Sequence, residues 1–325
     1  MGIHNLNKFL MEKCKKANIR KTHLSDLSGK TIAIDTSIYL YKFMADNTLI
    51  EHFYLMISLF RHYNIVPIFV FDGKPPKAKR ELLSKRRQHR KESEEQYNKL
   101  KEEYEAMNDS SDEKVELRKE LDLLKRESTS ISYDNLATTK ALISAYGAKY
   151  EQAEGEADVL CLQLVKSGKV WGCMSDDMDM FVYGCPRVFR HFSLVNHSVI
   201  FYDFSAMLSD LEMDIQTFRE IAVLSGTDYN CDNKTSLGET VTLYEKYKTS
   251  GSADESTNDF YDWVLHNSNY ISDIETLRSI VKMFDVTNYS DNLAILDRID
   301  QVTFEEINIS ELHAILEKDG FVFVQ

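Results

Sequence analysis

The chain has 325 residues, room for one large α/β domain or a domain with an appended module, and its 43% hydrophobic and 28% charged content excludes a mostly disordered polypeptide. No apolar run approaches the roughly 18 residues a membrane span needs, and the charged residues 1–15 do not form a secretory leader. A net charge of −13 argues against a general nucleic-acid binder, but between residues 74 and 91 nine lysines and arginines face one acid, Glu81, so a cationic patch sits on an acidic body.

In chain order, residues 31–35 form a short β-rich apolar run that ends in Asp35, and residues 51–63 read as a helix. A second apolar run, 65–72, ends in Asp72. Residues 77–127 are almost continuously charged. Tyr97, Leu100 and Tyr104 fall at helical spacing, Asn108 to Ser111 breaks the pattern, and Val115, Leu117, Leu121 and Leu124 resume it. This predicts a helical hairpin standing off the sheet, the alternative for the acidic part 92–127 being a solvated coil or a disordered insertion. A helix over 157–166 precedes a third apolar run, 170–177, which ends in Asp177. After an apolar helix-like stretch, 218–226, come a helix at 239–248, a polar loop at 249–259, and largely helical residues from 260 to 325. Apolar runs alternating with helices predict an α/β fold with a wound, mainly parallel sheet. Ligands of such sheets bind beyond the carboxyl ends of the strands.

Seven acids take similar places in this pattern: Asp35, Asp72, Glu154, Glu156, Asp177, Asp179 and Asp228. Each has a plain alternative, as a helix cap, a turn residue or a partner of a helix dipole. On one sheet edge, however, they would repel one another and take up protons unless cations joined them. Magnesium, a hard oxygen-seeking ion that keeps several waters, suits such a set. Two ions roughly 3.5–4 Å apart can stabilise the attacking and leaving oxygens of a phosphoryl displacement, some acids touching metal and others holding its waters. The five cysteines, Cys14, Cys161, Cys173, Cys185 and Cys231, form no C-x-x-C pair, which argues against zinc or a disulfide framework and for a reducing interior.

These residues resemble the flap endonucleases of the structure-specific 5′-nuclease (XPG) superfamily. The resemblance is carried by Met1-Gly-Ile-His-Asn-Leu6, Ala33-Ile-Asp-Thr-Ser-Ile-Tyr39, Phe69-Val-Phe-Asp-Gly-Lys-Pro-Pro76, Glu154-Gly-Glu-Ala157, Ser175-Asp-Asp-Met-Asp179, Phe189-Arg-His191 and Leu224-Ser-Gly-Thr-Asp-Tyr229. It runs from residue 1 to about residue 248. It implies a PIN-like sheet, residues 1–76 and 136–230, interrupted by a helical gateway and cap at 77–135 and followed by a C-terminal helical region, 231–325, with a divergent helix–two-turn–helix. It implies two Mg2+ ions, with Mn2+ able to substitute, on the seven acids. Lys79 and Arg86 are the implied catalytic cations, with Gly2, Tyr41, Lys74, Arg87, Arg190 and Gly238 facing nucleic acid. The function implied is 5′ flap endonuclease and 5′→3′ exonuclease action on DNA in replication and repair, by a monomer with no membrane partner, inside the cell and nuclear in a cellular eukaryote.

Two departures qualify this. Where the family has a Gly-x-Gly hairpin that grips duplex phosphates and a potassium ion, this chain has Ser236-Leu-Gly238. That counts against K+ and a tight duplex grip. The final residues, 321–325, carry no sliding-clamp peptide. The alternatives that stay open are a mainly exonucleolytic enzyme and a non-catalytic nucleic-acid-binding scaffold. A phosphatase is disfavoured because Asp35 is followed by Thr36 and Ser37 rather than a second aspartate two residues on.

Overall fold

The structure is a computed structural model that describes residues 3–76, 79–106, 112–230, 235–250, 259–286 and 291–323. Helix α1 (Leu6–Lys13) leads into β1 (Ile19–His23) and β2 (Thr31–Asp35). Then come α2 (Thr36–Ala45), α3 (Leu49–His62) and β3 (Val66–Phe71). The hairpin α4 (Arg80–Ala106) and α5 (Asp112–Ser128) follows, then α6 (Tyr133–Ala145), β4 (Lys149–Gln152), α7 (Ala157–Lys166), β5 (Gly172–Met174) and the short α8 (Asp179–Tyr183). Strands β6 (Arg187–Ser193) and β7 (Ser198–Asp203) form a hairpin. The chain ends in α9 (Phe204–Asp210), α10 (Ile215–Leu224), α11 (Leu237–Thr249), α12 (Phe260–Asn267), α13 (Ile274–Phe284), α14 (Leu293–Arg298) and α15 (Ile309–Lys318).

The described strands make one seven-stranded sheet in the order β1-β7-β6-β5-β2-β3-β4. Strands β6, β5, β2, β3 and β4 run parallel, and β7 and β1 add antiparallel pairs at one side. Side-chain alternation divides the core into two layers. Ala33, Ile68 and Val70 face a layer with α1, α7 and most of the C-terminal helices. Ile32, Ile34, Phe69 and Phe71 face the opposite layer with α2, α3, α6 and α15. Both faces of the central strands are thus covered, which is why those strands read as unbroken apolar runs.

The three sequence-predicted strands are β2, β3 and β5, adjacent and parallel, so their carboxyl ends share one edge. The predicted helix 157–166 is α7, and the charged hairpin is α4 packed on α5. The predicted break at 108–111 lies outside the described residues. Strands β1, β4, β6 and β7 were not anticipated. In β1 and β4 only Ile19 and Thr22 are buried, so neither shows an apolar run.

Candidate active site

Asp35 is the last residue of β2 and stands opposite Val70 of β3 in the parallel register. Asp72 follows the end of β3 by one residue, and Asp177 follows β5. Parallel pairing therefore places three acids at one edge. Asp35 occupies the N-cap position of α2 but makes no side-chain cap bond. Its carboxylate instead accepts from Ser175 Oγ at 2.9 Å. Asp72 accepts from Ser37 Oγ at 2.5 Å and from the Ala157 backbone N–H at 2.8 Å, which ties strand β3 to the first turn of α7.

Helix α7 brings in the second group. Glu156 is its N-cap residue, again without a cap bond, and Asp158 lies in its first turn. Nearly every residue of α7 is buried, among them Leu160, Leu162 and Leu164. At about 1.5–3 kcal/mol per buried leucine, this helix is a firm base for the acids at its end. Asp177 accepts from the Asp179 N–H at 3.0 Å, and Asp179, the first residue of α8, is 3% exposed. Asp228 follows α10.

Gateway cations close over these acids. Lys79, one residue before α4, places Nζ 2.5 Å from Glu156 Oε1 and 4.9 Å from the centre of the Tyr229 ring. Arg86 on α4 donates to Asp228 Oδ2 at 2.6 Å. Tyr229 Oη donates to the other Glu156 oxygen at 3.1 Å. Burial works against the Lys79 charge, but Glu156, Tyr229 and Asp179 together outweigh it, so the ammonium is held above its ordinary range.

The acids remain short of positive charge. Burial, reinforced by Asp72, pushes the Asp35 carboxyl up to about 8. Burial, then Asp35, Asp177, Asp72 and Glu156, raises Asp158 well above the usual carboxylate range. Asp179 is raised by burial, then by Asp177 and Asp228, with Lys79 pulling the other way. Asp158 Oδ1 and Asp179 Oδ1 are shut off from solvent with no hydrogen-bond partner. A buried carboxylate oxygen without a donor is costly.

Among the described residues, no three His, Cys, Asp or Glu side chains stand close enough to form a ready-made metal cage. The donor set nonetheless fits a hard divalent ion: it is all oxygen, two of its oxygens lack partners, and such an ion reaches many of its ligands through water.

Of the sequence-predicted acids, Asp35, Asp72, Glu156, Asp177, Asp179 and Asp228 come together, and Glu154 does not. Glu154 is exposed and is held through its backbone, its N–H on Asn292 Oδ1 and its carbonyl on the Lys74 N–H. It is not among the charges that bear most on Asp35, Asp158 or Asp179. Asp158, in the first turn of α7, stands instead in the field of Asp35, Asp177, Asp72 and Glu156. The spacing of Glu154 to Glu156 recurs between Glu156 and Asp158, and only the second pair rides on the helix start.

The expected nucleic-acid contacts divide. Tyr41 is exposed, with the Arg90 guanidinium 5.6 Å over its ring, and Lys74 and Arg87 are exposed beside the site. Arg190 is 6% exposed and donates to Asn7 Oδ1 and the Asp176 carbonyl, which braces the start of the 176–179 loop, while its Nε is buried without a partner. Gly238 lies in the first turn of α11, where a Cβ would meet nothing, and Ser236 is that helix's N-cap, accepting from the Glu239 N–H. A capped helix start thus stands at Ser236-Leu-Gly238, where the sequence already departs from the family's glycine hairpin. Gly2 lies outside the described residues.

The XPG N-terminal domain matches residues 1–93, reaching into α4, and the XPG I-region matches residues 147–228; between them they hold the acids from Asp35 to Asp228 and the cations Lys79 and Arg86. Flap endonuclease 1 of Candida tropicalis is 30% identical over 275 residues, covering 78% of this chain and 69% of that enzyme. The chain belongs to the XPG flap endonuclease family. Flap endonuclease 1 of Chlamydomonas reinhardtii is also 30% identical, over 248 residues that make up 70% of this chain and 59% of that relative, so the match spans less than two thirds of its length. Among solved structures, the catalytic core of Rad2 in complex with DNA substrate aligns with a TM-score of 0.66 over 98% of this chain and 95% of that one, at 21% identity. That likeness establishes the flap endonuclease fold for this chain.

Proposed function

We propose that this flap endonuclease family member is a divalent-metal-dependent, structure-specific 5′-nuclease that hydrolyses DNA near single-strand/double-strand junctions. The observation that carries the reading is the convergence of Asp35, Asp72, Glu156, Asp158, Asp177, Asp179 and Asp228 beneath Lys79 and Arg86, with two buried carboxylate oxygens unpartnered. A hard divalent ion, Mg2+ or Mn2+, bound there would supply Lewis-acid charge for hydrolysis of a phosphodiester. Asp35, Asp158 and Asp179 would hold it most directly. Asp72 accepts from the Ala157 N–H and so fixes β3 against the start of α7, while Asp177 accepts from the Asp179 N–H and holds the turn into α8. Lys79 and Arg86, paired here with Glu156 and Asp228, would be the cations placed to stabilise charge on a scissile phosphate. The exposed ring of Tyr41 is placed to stack on a base without reading its identity.

The test is cleavage of an end-labelled 5′-flap duplex, compared with nicked and blunt duplexes. Mg2+-dependent cuts near the junction are expected from the wild type and none from Asp179→Ala. Binding of the flap without cleavage in either metal would make the chain a scaffold and reject the nuclease reading.

A further inference from the structure

The acid pair at the start of α7 depends on a short loop, residues 153–155, and that loop is gripped from two sides. On one side Gly73 donates its N–H to the Gly155 carbonyl at 2.7 Å, and Lys74 donates to the Glu154 carbonyl at 3.2 Å. A Cβ on Gly73 would lie 1.9 Å from the Ala153 carbonyl oxygen, so only glycine admits this approach. On the other side stands Asn292, far along the chain. It is 1% exposed, and both ends of its amide are used. Oδ1 accepts from the Glu154 N–H at 2.9 Å, and Nδ2 donates to Gln163 Oε1 at 2.9 Å. Gln163, on α7, returns its own amide N–H to the Asp291 carbonyl at 3.1 Å.

The conformation of Asn292 shows what the side chain is for. It is the N-cap residue of α14, where an asparagine usually bonds the first-turn N–H groups of its own helix. Here it makes no such bond. Its φ of 67° places it in the left-handed region, which asparagine tolerates better than other non-glycine residues, and its side chain points away to the loop. The buried amide thus connects the C-terminal helical region to both the loop and the helix that carry Glu156 and Asp158.

We propose that Asn292 is a positioning residue for this acid pair. It fixes the register of Glu156 and Asp158 against Asp35 and Asp72, and the C-terminal region thereby sets the metal affinity of the site. The inference rests on the metal reading given above. Partners that orient metal ligands from behind typically matter by 10–100-fold.

The decisive variant is Asn292→Gly, which keeps the left-handed backbone accessible and removes only the amide. The control is Ile295→Ala, which truncates a side chain of α14 that is 6% exposed and leaves the Asn292 amide in place. Asn292→Asp, which keeps the acceptor for Glu154, is the second variant should the glycine form not fold. Mn2+ binding is read by electron paramagnetic resonance without DNA, and kcat and KM on a 5′-flap duplex with Mg2+, all where each variant is folded by circular dichroism. Asn292→Gly is expected to weaken Mn2+ binding and lower kcat, each by about 10-fold, with KM within about 2-fold. Asn292→Asp should fall between it and the wild type, and Ile295→Ala should match the wild type in both readouts. Wild-type Mn2+ affinity in folded Asn292→Gly, or equal losses in Ile295→Ala, would overturn the proposal. A wild type that binds Mn2+ but cuts nothing would reject the nuclease reading and leave the Mn2+ comparison decisive for Asn292. A wild type that takes up no Mn2+ would overturn both.

Discussion

Asp158 and Glu154 differ by four positions, and their fates are opposite. Asp158 is drawn into the field of Asp35, Asp177, Asp72 and Glu156, whereas Glu154 turns to solvent. Asp158→Asn should therefore lower Mg2+-dependent cleavage by at least about 10-fold, the scale on which groups that orient metal matter, while Glu154→Ala stays near the wild type in the same assay. Glu154 lies in the Glu154-Gly-Glu-Ala157 motif and Asp158 one residue beyond it. What separates them is where α7 begins, and one-dimensional spacing does not carry that. The same holds for Arg190, which reads as a surface arginine next to His191 until the fold closes Asn7 and the 176–179 loop around it. Asp35 gives a pH test in the metal-free protein. Its folded pKa, about 8, lies above the unfolded value near ~3.9, so the stability it contributes is full below the unfolded value and is lost as pH rises through about 8. Asp35→Asn removes that dependence. The melting temperature of Asp35→Asn minus that of the wild type, measured in EDTA, should rise steadily between about pH 4 and about pH 8; a difference that stays flat would mean Asp35 ionises freely.

At the scale of elements, the foot of the hairpin carries the chemistry of charge. Lys79 and Arg86 stand seven positions apart on either side of the start of α4 and reach acids from two different segments, the start of α7 and the turn after α10. The Lys79–Glu156 pair is largely buried, at 11% and 16% side-chain exposure, so it is screened far less than a surface pair. Lys79→Ala should lower kcat by about 100-fold with little change in KM, because the cation serves the reacting phosphate rather than the grip on the duplex. A rise in KM with kcat intact would reassign Lys79 to backbone binding. The hairpin itself was legible from the helical spacing of its sparse apolar residues, and Leu121 and Leu124 are indeed buried. Edge strands were not legible, because β1 and β4 present mostly polar residues and take their order from pairing with β7 and β3. The start of α11 also reads differently in three dimensions. Ser236, at the family's glycine position, is a helix cap bonded to Glu239, and its backbone N–H donates to Tyr270 Oη, so it is not free for a phosphate.

For the molecule as a whole, topology does what composition hides. The parallel neighbours β5, β2 and β3 deliver acids from residues 35, 72 and 177 to one edge, and α7, α8 and the turn after α10 deliver the rest. This arrangement follows from apolar runs that end in aspartate, so the fold class and most of the site were present in the sequence, while the exact acid register required the packed helix. The net charge of −13 is compatible with the polyanionic substrate proposed above, because the basic residues Lys74, Arg80, Lys85, Arg87 and Lys91 are exposed at and near the start of α4. The most direct measurement of the central claim is anomalous diffraction from crystals of the wild-type protein soaked in Mn2+. The expected result is a pair of peaks roughly 3.5–4 Å apart among Asp35, Asp72, Glu156, Asp158 and Asp179. No peak at that sheet edge, or peaks only at surface carboxylates elsewhere, would contradict it.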